Sequence, residues 1–123
     1  MADLGIINRL VQLLSSPSLP VQVACLRTLG NFLTGPDSIA QLVLDAGILA
    51  FIKPILTHEK KAMRKEACWS ISNITAGTQH QLQQVFDSGL MDALITVVIN
   101  DDWEIKKEAC WAICNATARP SPT

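Results

Sequence analysis

Residues 65–73 read KEACWSISN, and residues 107–115 read KEACWAICN. Lys65 to Lys107 is a step of 42, and Asn73 to Asn115 is the same step. One more step back from Asn73 lands on Asn31, at the end of ACLRTLGN, and the step also joins Gly5, Gly47 and Gly89. The chain is therefore a tandem repeat. A period of this length implies supersecondary units that bury their apolar faces on their neighbours.

Apolar spacing outward from the repeated stretch gives the elements. Helices are expected over 4–14 and 19–33, with SSPSLP between them and Gly35-Pro36 as a stop. A short helix over 38–46 ends at Gly47, and another follows over 48–57. Pro54 lies inside this second helix, so a kink or an early end is expected there. The charged link HEKK leads into a long helix over 62–76, closed by Gly77. The pattern then repeats as a short helix from 78 or 79 to 88, a middle one over 90–100 and a long one from 103 or 104 to 118. The organisation expected is a partial unit over 1–35, full units over 36–77 and 78–118, and a disordered tail over 119–123.

A period of about 40 to 47 residues with two or three helices per unit belongs to the HEAT and armadillo class, and three helices favour armadillo. The expected fold is all-α: a right-handed armadillo-repeat solenoid of about three repeats, the first partial. The long helices would line up along its concave surface.

Composition excludes several functions. At 49% hydrophobic and 17% charged the chain is expected to be ordered, and a net charge of -1 gives no global field to gather nucleic acid or anionic lipid. MADLGIINRL lacks the features of a secretory signal, and no apolar run is long enough to span a bilayer, so a soluble intracellular protein is expected. EKKAMRK, at 59–65, reads as a solvated helix start rather than a nucleic-acid patch, because no aromatic platform interleaves with it. Cys25, Cys68, Cys110 and Cys114 sit in apolar helical patterns and are expected as reduced, buried thiols. Cys110 and Cys114 are four apart, but only His58 and His80 remain as further ligands and neither has metal-site spacing. The tripeptides at Asn73 and Asn115 match a glycosylation signal but fall on expected helices. No phosphate-cradling loop or nucleophile–histidine pairing is present, so neither an enzyme nor a cofactor is expected.

Positions i, i+3 and i+7 share one helical face, so Glu66, Trp69 and Asn73 point one way, as do Glu108, Trp111 and Asn115. This set suits an extended peptide rich in lysine and arginine. Indole faces form slots for the stem and charge of a basic side chain, at roughly 0.5 to 2 kcal/mol each. Asparagine both donates to and accepts from a peptide backbone, and the carboxylates take the cations.

KEACWSISNITAG, KEACWAICNATA and the weaker ACLRTLGNFLTG resemble the third helices of importin α, the armadillo adaptor for nuclear localisation signals. Arg27 stands where the first repeat would carry tryptophan, and the order arginine, tryptophan, tryptophan resembles the C-terminal repeats around the family's minor signal-binding site. The resemblance implies that Asn31, Trp69, Asn73, Trp111 and Asn115 hold the peptide, that Glu66 and Glu108 meet its basic side chains, and that Leu33, Thr34, Gly35 and Ser72 make further contacts. It implies a location in cytoplasm and nucleus. Importin β would be engaged only through segments missing here, and neither nucleic acid nor membrane would be a direct partner. Arg27 would repel a basic side chain, and so would close the array or bind an acidic group.

Competing readings are structural. The tryptophans could pack between helices, the asparagines could bond a neighbouring helix, and the two glutamates could be solvated. Trp103 has no counterpart and is expected to pack at a helix start. A generic armadillo scaffold with a non-basic partner is the alternative function, and exposed repeat ends are expected to favour self-association.

Overall fold

The computed structural model describes residues 4–117. Among them the chain runs through α1 (Leu4–Leu13), α2 (Leu19–Leu33), α3 (Asp37–Asp45), α4 (Ile48–Ile55), α5 (Lys61–Thr75), α6 (Gln79–Asp87), α7 (Leu90–Asn100) and α8 (Trp103–Thr117). The periodicity thus located each helix to within one or two residues at nearly every end. The tail expected over 119–123 lies outside the described residues.

Helices α3–α5 and α6–α8 form two like units, preceded by the pair α1–α2. Within each unit the first two helices meet at a sharp bend, 74° in one and 76° in the other. Each bend turns on a glycine in the left-handed region, Gly47 at φ 88° and Gly89 at φ 80°, a conformation that costs other residues more. Pro54 has the expected effect: α4 has 8 residues, where the equivalent α7 has 11. Past the first turn, proline lacks the N–H that would bond the preceding turn, and its ring crowds the carbonyl four residues back.

The long helices α2, α5 and α8 stack side by side in chain order. Leu26, Leu29, Met63, Ile71 and Ile105 fill the space between layers, and the small, fully buried Ala67, Ala109 and Ala112 let the helices approach closely. Polar ties fix the register. Thr78 and Gln81 form a reciprocal cap at the start of α6. The Gln81 amide also donates to Asp37 O at 3.2 Å, pinning one unit to the last. Arg64 donates to both carboxylate oxygens of Asp101, at 2.8 and 3.0 Å, and to His58 O at 2.7 Å.

No single helix among the described residues is long and apolar enough to cross a membrane. Two expectations fail. Cys25 and Cys68 are buried, but Cys110 and Cys114 are exposed, and Trp103 is 75% exposed rather than packed. The reason is positional. Cys68 and Ser72 of α5 lie under α8, whereas their equivalents Cys110 and Cys114 stand on a side of α8 that no described residue covers.

Burial pushes the Cys68 thiol up to about 12 and also raises that of Cys25, so neither supplies thiolate near neutral pH. A disulfide reagent is therefore expected to titrate Cys110 and Cys114 rapidly in the native protein, with Cys25 and Cys68 reacting only in denaturant. Four equally fast thiols would contradict this burial pattern.

Candidate peptide-binding groove

The face shared by α2, α5 and α8 carries a depression of about 350 Å³ lined by Arg27, Asn31, Lys65, Glu66, Trp69 and Glu108. Side chains from three helices and three successive repeats meet there, as helical spacing and the 42-residue step require. Lys65 belongs to this lining and was missed in the sequence, because a lysine before a glutamate looks like any solvated pair.

Trp69 is half-buried against the preceding long helix. Its six-membered ring occupies the space a side chain at Gly30 would need, and a methyl group there would also lie 3.0 Å from Ser70 Oγ. Gly30 is thus the seat of the indole. The sequence signal was available: one and two periods later the same position holds Ser72 and Cys114, both small. Trp111 is 58% exposed on the outer end of the ladder.

The asparagines are anchored. Asn73 Nδ2 donates to Gly30 O at 3.2 Å, and Asn115 Nδ2 donates to Ser72 O at 3.0 Å. The structural reading of these amides is therefore correct. One N–H fixes each side chain, leaving Oδ1 and the second N–H for a ligand backbone. Asn31 is exposed on the first helix of the row.

Glu66 does not stand free to receive a guest cation. Arg27 Nε donates to its Oε1 at 3.1 Å, with side-chain exposures of 61% for Arg27 and 18% for Glu66. Arg27 thus binds an acidic group of its own chain. Glu108 lines the same depression and makes no ion pair among the described residues, so it is the carboxylate open to a ligand.

Of the remaining expected contacts, Ser72 is buried and its hydroxyl donates to Trp69 O at 2.6 Å. Leu33 lies in the core. Thr34 ends α2 and donates to Asn31 O at 2.7 Å, and the exposed Gly35 follows it. The structure brings the tryptophans, asparagines and glutamates onto one face and turns Ser72 and Leu33 inward.

A model of the armadillo/beta-catenin-like repeat matches residues 1–34 and 78–118, and one of the HEAT-like repeat matches residues 20–74. The chain belongs to the armadillo repeat family. Within that class it is importin-α-like: importin subunit alpha-1b of Oryza sativa subsp. japonica is 45% identical over 67 residues, 54% of this chain and 12% of that protein. Importin subunit alpha-3 of Arabidopsis thaliana is 45% identical over 68 residues, 54% of this chain and 13% of that protein. The matched stretch is thus a small part of these relatives' length. Among solved structures, a designed armadillo repeat protein in complex with the peptide (KR)4 superposes with a TM-score of 0.87 at 31% identity, covering 90% of this chain and 46% of that one.

Proposed function

We propose that this chain is a nonenzymatic binding scaffold that holds an extended lysine- and arginine-rich peptide, in the manner of a nuclear import adaptor working between cytoplasm and nucleus. The observation that carries the reading is the convergence of Trp69, Asn31 and Glu108 in one open depression, continued by Asn73, Trp111 and Asn115 along the same face. Basic side chains enter beside the indoles, the anchored amides take the peptide backbone, and Glu108 receives a cation. Glu66 acts at one remove, by holding Arg27. Support comes from the importin α relatives and from the designed armadillo protein whose guest is the lysine–arginine peptide (KR)4.

The alternative is a generic armadillo scaffold for an acidic segment, favoured by one observation: Arg27 and Lys65 line the same depression. The two readings separate in one titration. A labelled lysine–arginine peptide and a glutamate-substituted counterpart are compared at low and moderate salt. Stronger binding of the basic peptide, weakening as salt rises, is the expected result. Preference for the acidic peptide would replace the first reading with the second.

A further inference from the structure

A second depression, of about 450 Å³, lies where the two complete units meet, and it shares no lining residue with the groove. Its floor is apolar, with Leu56 and Val97 buried and Ala93 beside them on α7. The link between α4 and α5 brings His58 and Glu59 to it, and α7 brings Thr96 and Asn100. The same feature occurs one period earlier. Leu14, Gln22, Ile55 and His58 stand 42 residues before Leu56, Arg64, Val97 and Asn100, and they line a hollow of about 260 Å³. That earlier hollow is open although a complete unit follows it, so the opening belongs to the internal junctions of the stack and not to its ends.

One exchange gives the second hollow room. Phe51, half-buried, lines the first, and its place in the second is taken by Ala93. A ring is missing there while the leucine and the branched aliphatic residue beneath it are kept. The charge at the mouth is also defined. Arg64 is taken up within the chain, with its hydrogen bonds going to Asp101 and His58 O. His58 Nδ1 accepts the Lys60 N–H at 3.0 Å, a bond that only the neutral ring makes. Glu59 makes no ion pair among the described residues, so the charge left over is negative. Asn100 Nδ2 donates to Thr96 O at 3.2 Å, which leaves its Oδ1 as a further acceptor.

We propose that this depression is a second binding site, which takes an aromatic side chain of a partner protein flanked by a lysine or arginine. The ring fills the space over Leu56 and Val97 that Ala93 leaves open, in the place Phe51 holds one repeat earlier. The neighbouring cation meets Glu59 and Asn100 Oδ1. An apolar hollow with a few polar groups at its rim suits one such anchor, and aromatic anchors seated in pockets carry much of the energy of protein interfaces. Because the depression and the groove have no lining residue in common, a partner held here and a peptide held on the tryptophan and asparagine ladder are bound together without competing.

The test is an NMR titration of the nitrogen-15-labelled full chain with the blocked peptide acetyl-Gly-Phe-Lys-Gly-amide, carried to millimolar concentration, and with counterparts holding alanine for phenylalanine or glutamate for lysine. The first peptide is expected to shift the backbone amides of Ala93, Val97 and Asn100 saturably, with the Trp69 and Trp111 indole signals in place. The alanine peptide is expected to lose this, and the glutamate peptide to bind about threefold more weakly, as one exposed ion pair allows. Ala93→Phe, which restores the ring of the preceding repeat, is expected to abolish the shifts, and Glu59→Gln to bring the lysine and glutamate peptides to equal affinity. Thr96→Lys, at an exposed position on the mouth, serves as a second variant if Ala93→Phe loses its helical circular dichroism, and is expected to weaken the lysine peptide. Absence of saturable shifts in the wild type would overturn the proposal, as would equal binding by a folded Ala93→Phe protein or shifts confined to the groove indoles. The same amide shifts on raising the protein concentration alone would also overturn it, by assigning the site to a second copy of the chain.

Discussion

Replacing both Trp69 and Trp111 with alanine is expected to weaken binding of a lysine- and arginine-rich peptide by about tenfold or more, with the helical stack intact. Each indole offers roughly 0.5 to 2 kcal/mol to a basic side chain, and 1.4 kcal/mol is a factor of ten. Trp69 should contribute more, because it is half-buried on Gly30 and excludes water from its slot, whereas Trp111 is 58% exposed. Two slots also bound the affinity. After the ordering cost of an extended peptide, roughly micromolar or weaker binding is expected. Isothermal titration of wild type and folded double variant measures both quantities, and equal affinity would assign the ladder a packing role.

The second large effect is on stability. Asp101→Asn is expected to cost about 2 to 3 kcal/mol in urea denaturation at neutral pH, because it leaves the Arg64 guanidinium enclosed without its carboxylate. The pair is bidentate, with side-chain exposures of 17% and 10%. Lys61→Ala, which removes the exposed partner of Asp102, is expected to leave stability unchanged within error. Burial alone would raise the Asp101 carboxyl, but hydrogen bonds from Arg64 and the Asp102 N–H, with the charges of Arg64 and Lys61, hold it below the usual carboxylate range. A depressed folded value stabilises above the unfolded pKa of about 3.9 and loses that stabilisation as pH falls through the folded one. The difference between wild type and Asp101→Asn should therefore be full at neutral pH and shrink in acid below that value.

The fold was legible because its information is local and repeated. Glycines at one step, a proline inside α4 and apolar spacing in each helix all act within a few residues, so order and boundaries follow without tertiary knowledge. The ladder was legible for the same reason, since i, i+3 and i+7 determine a shared face. What remained hidden depends on neighbours. Arg27 and Glu66 are 39 residues apart, and only stacking α5 on α2 brings them to 3.1 Å. The anchoring of Asn73 and Asn115 likewise needs the carbonyl of another helix. Cys68 and Cys110 have the same local sequence, yet one is fully buried and the other exposed. Their difference lies in what covers them, and so does that of Trp103.

The most direct test of the groove is a nitrogen-15 NMR titration of the indole N–H signals with an alternating lysine–arginine peptide. The chain has 3 tryptophans, and two of them, Trp69 and Trp111, lie on the proposed path, while Trp103, at the start of α8, borders a separate depression that Trp111 also lines. The indole signals of Trp69 and Trp111 are expected to shift together and saturably, at low salt more than at high, with that of Trp103 shifting less than either. Saturable binding that shifts only Trp103, or leaves all three signals in place, would contradict a peptide held along the tryptophan and asparagine ladder.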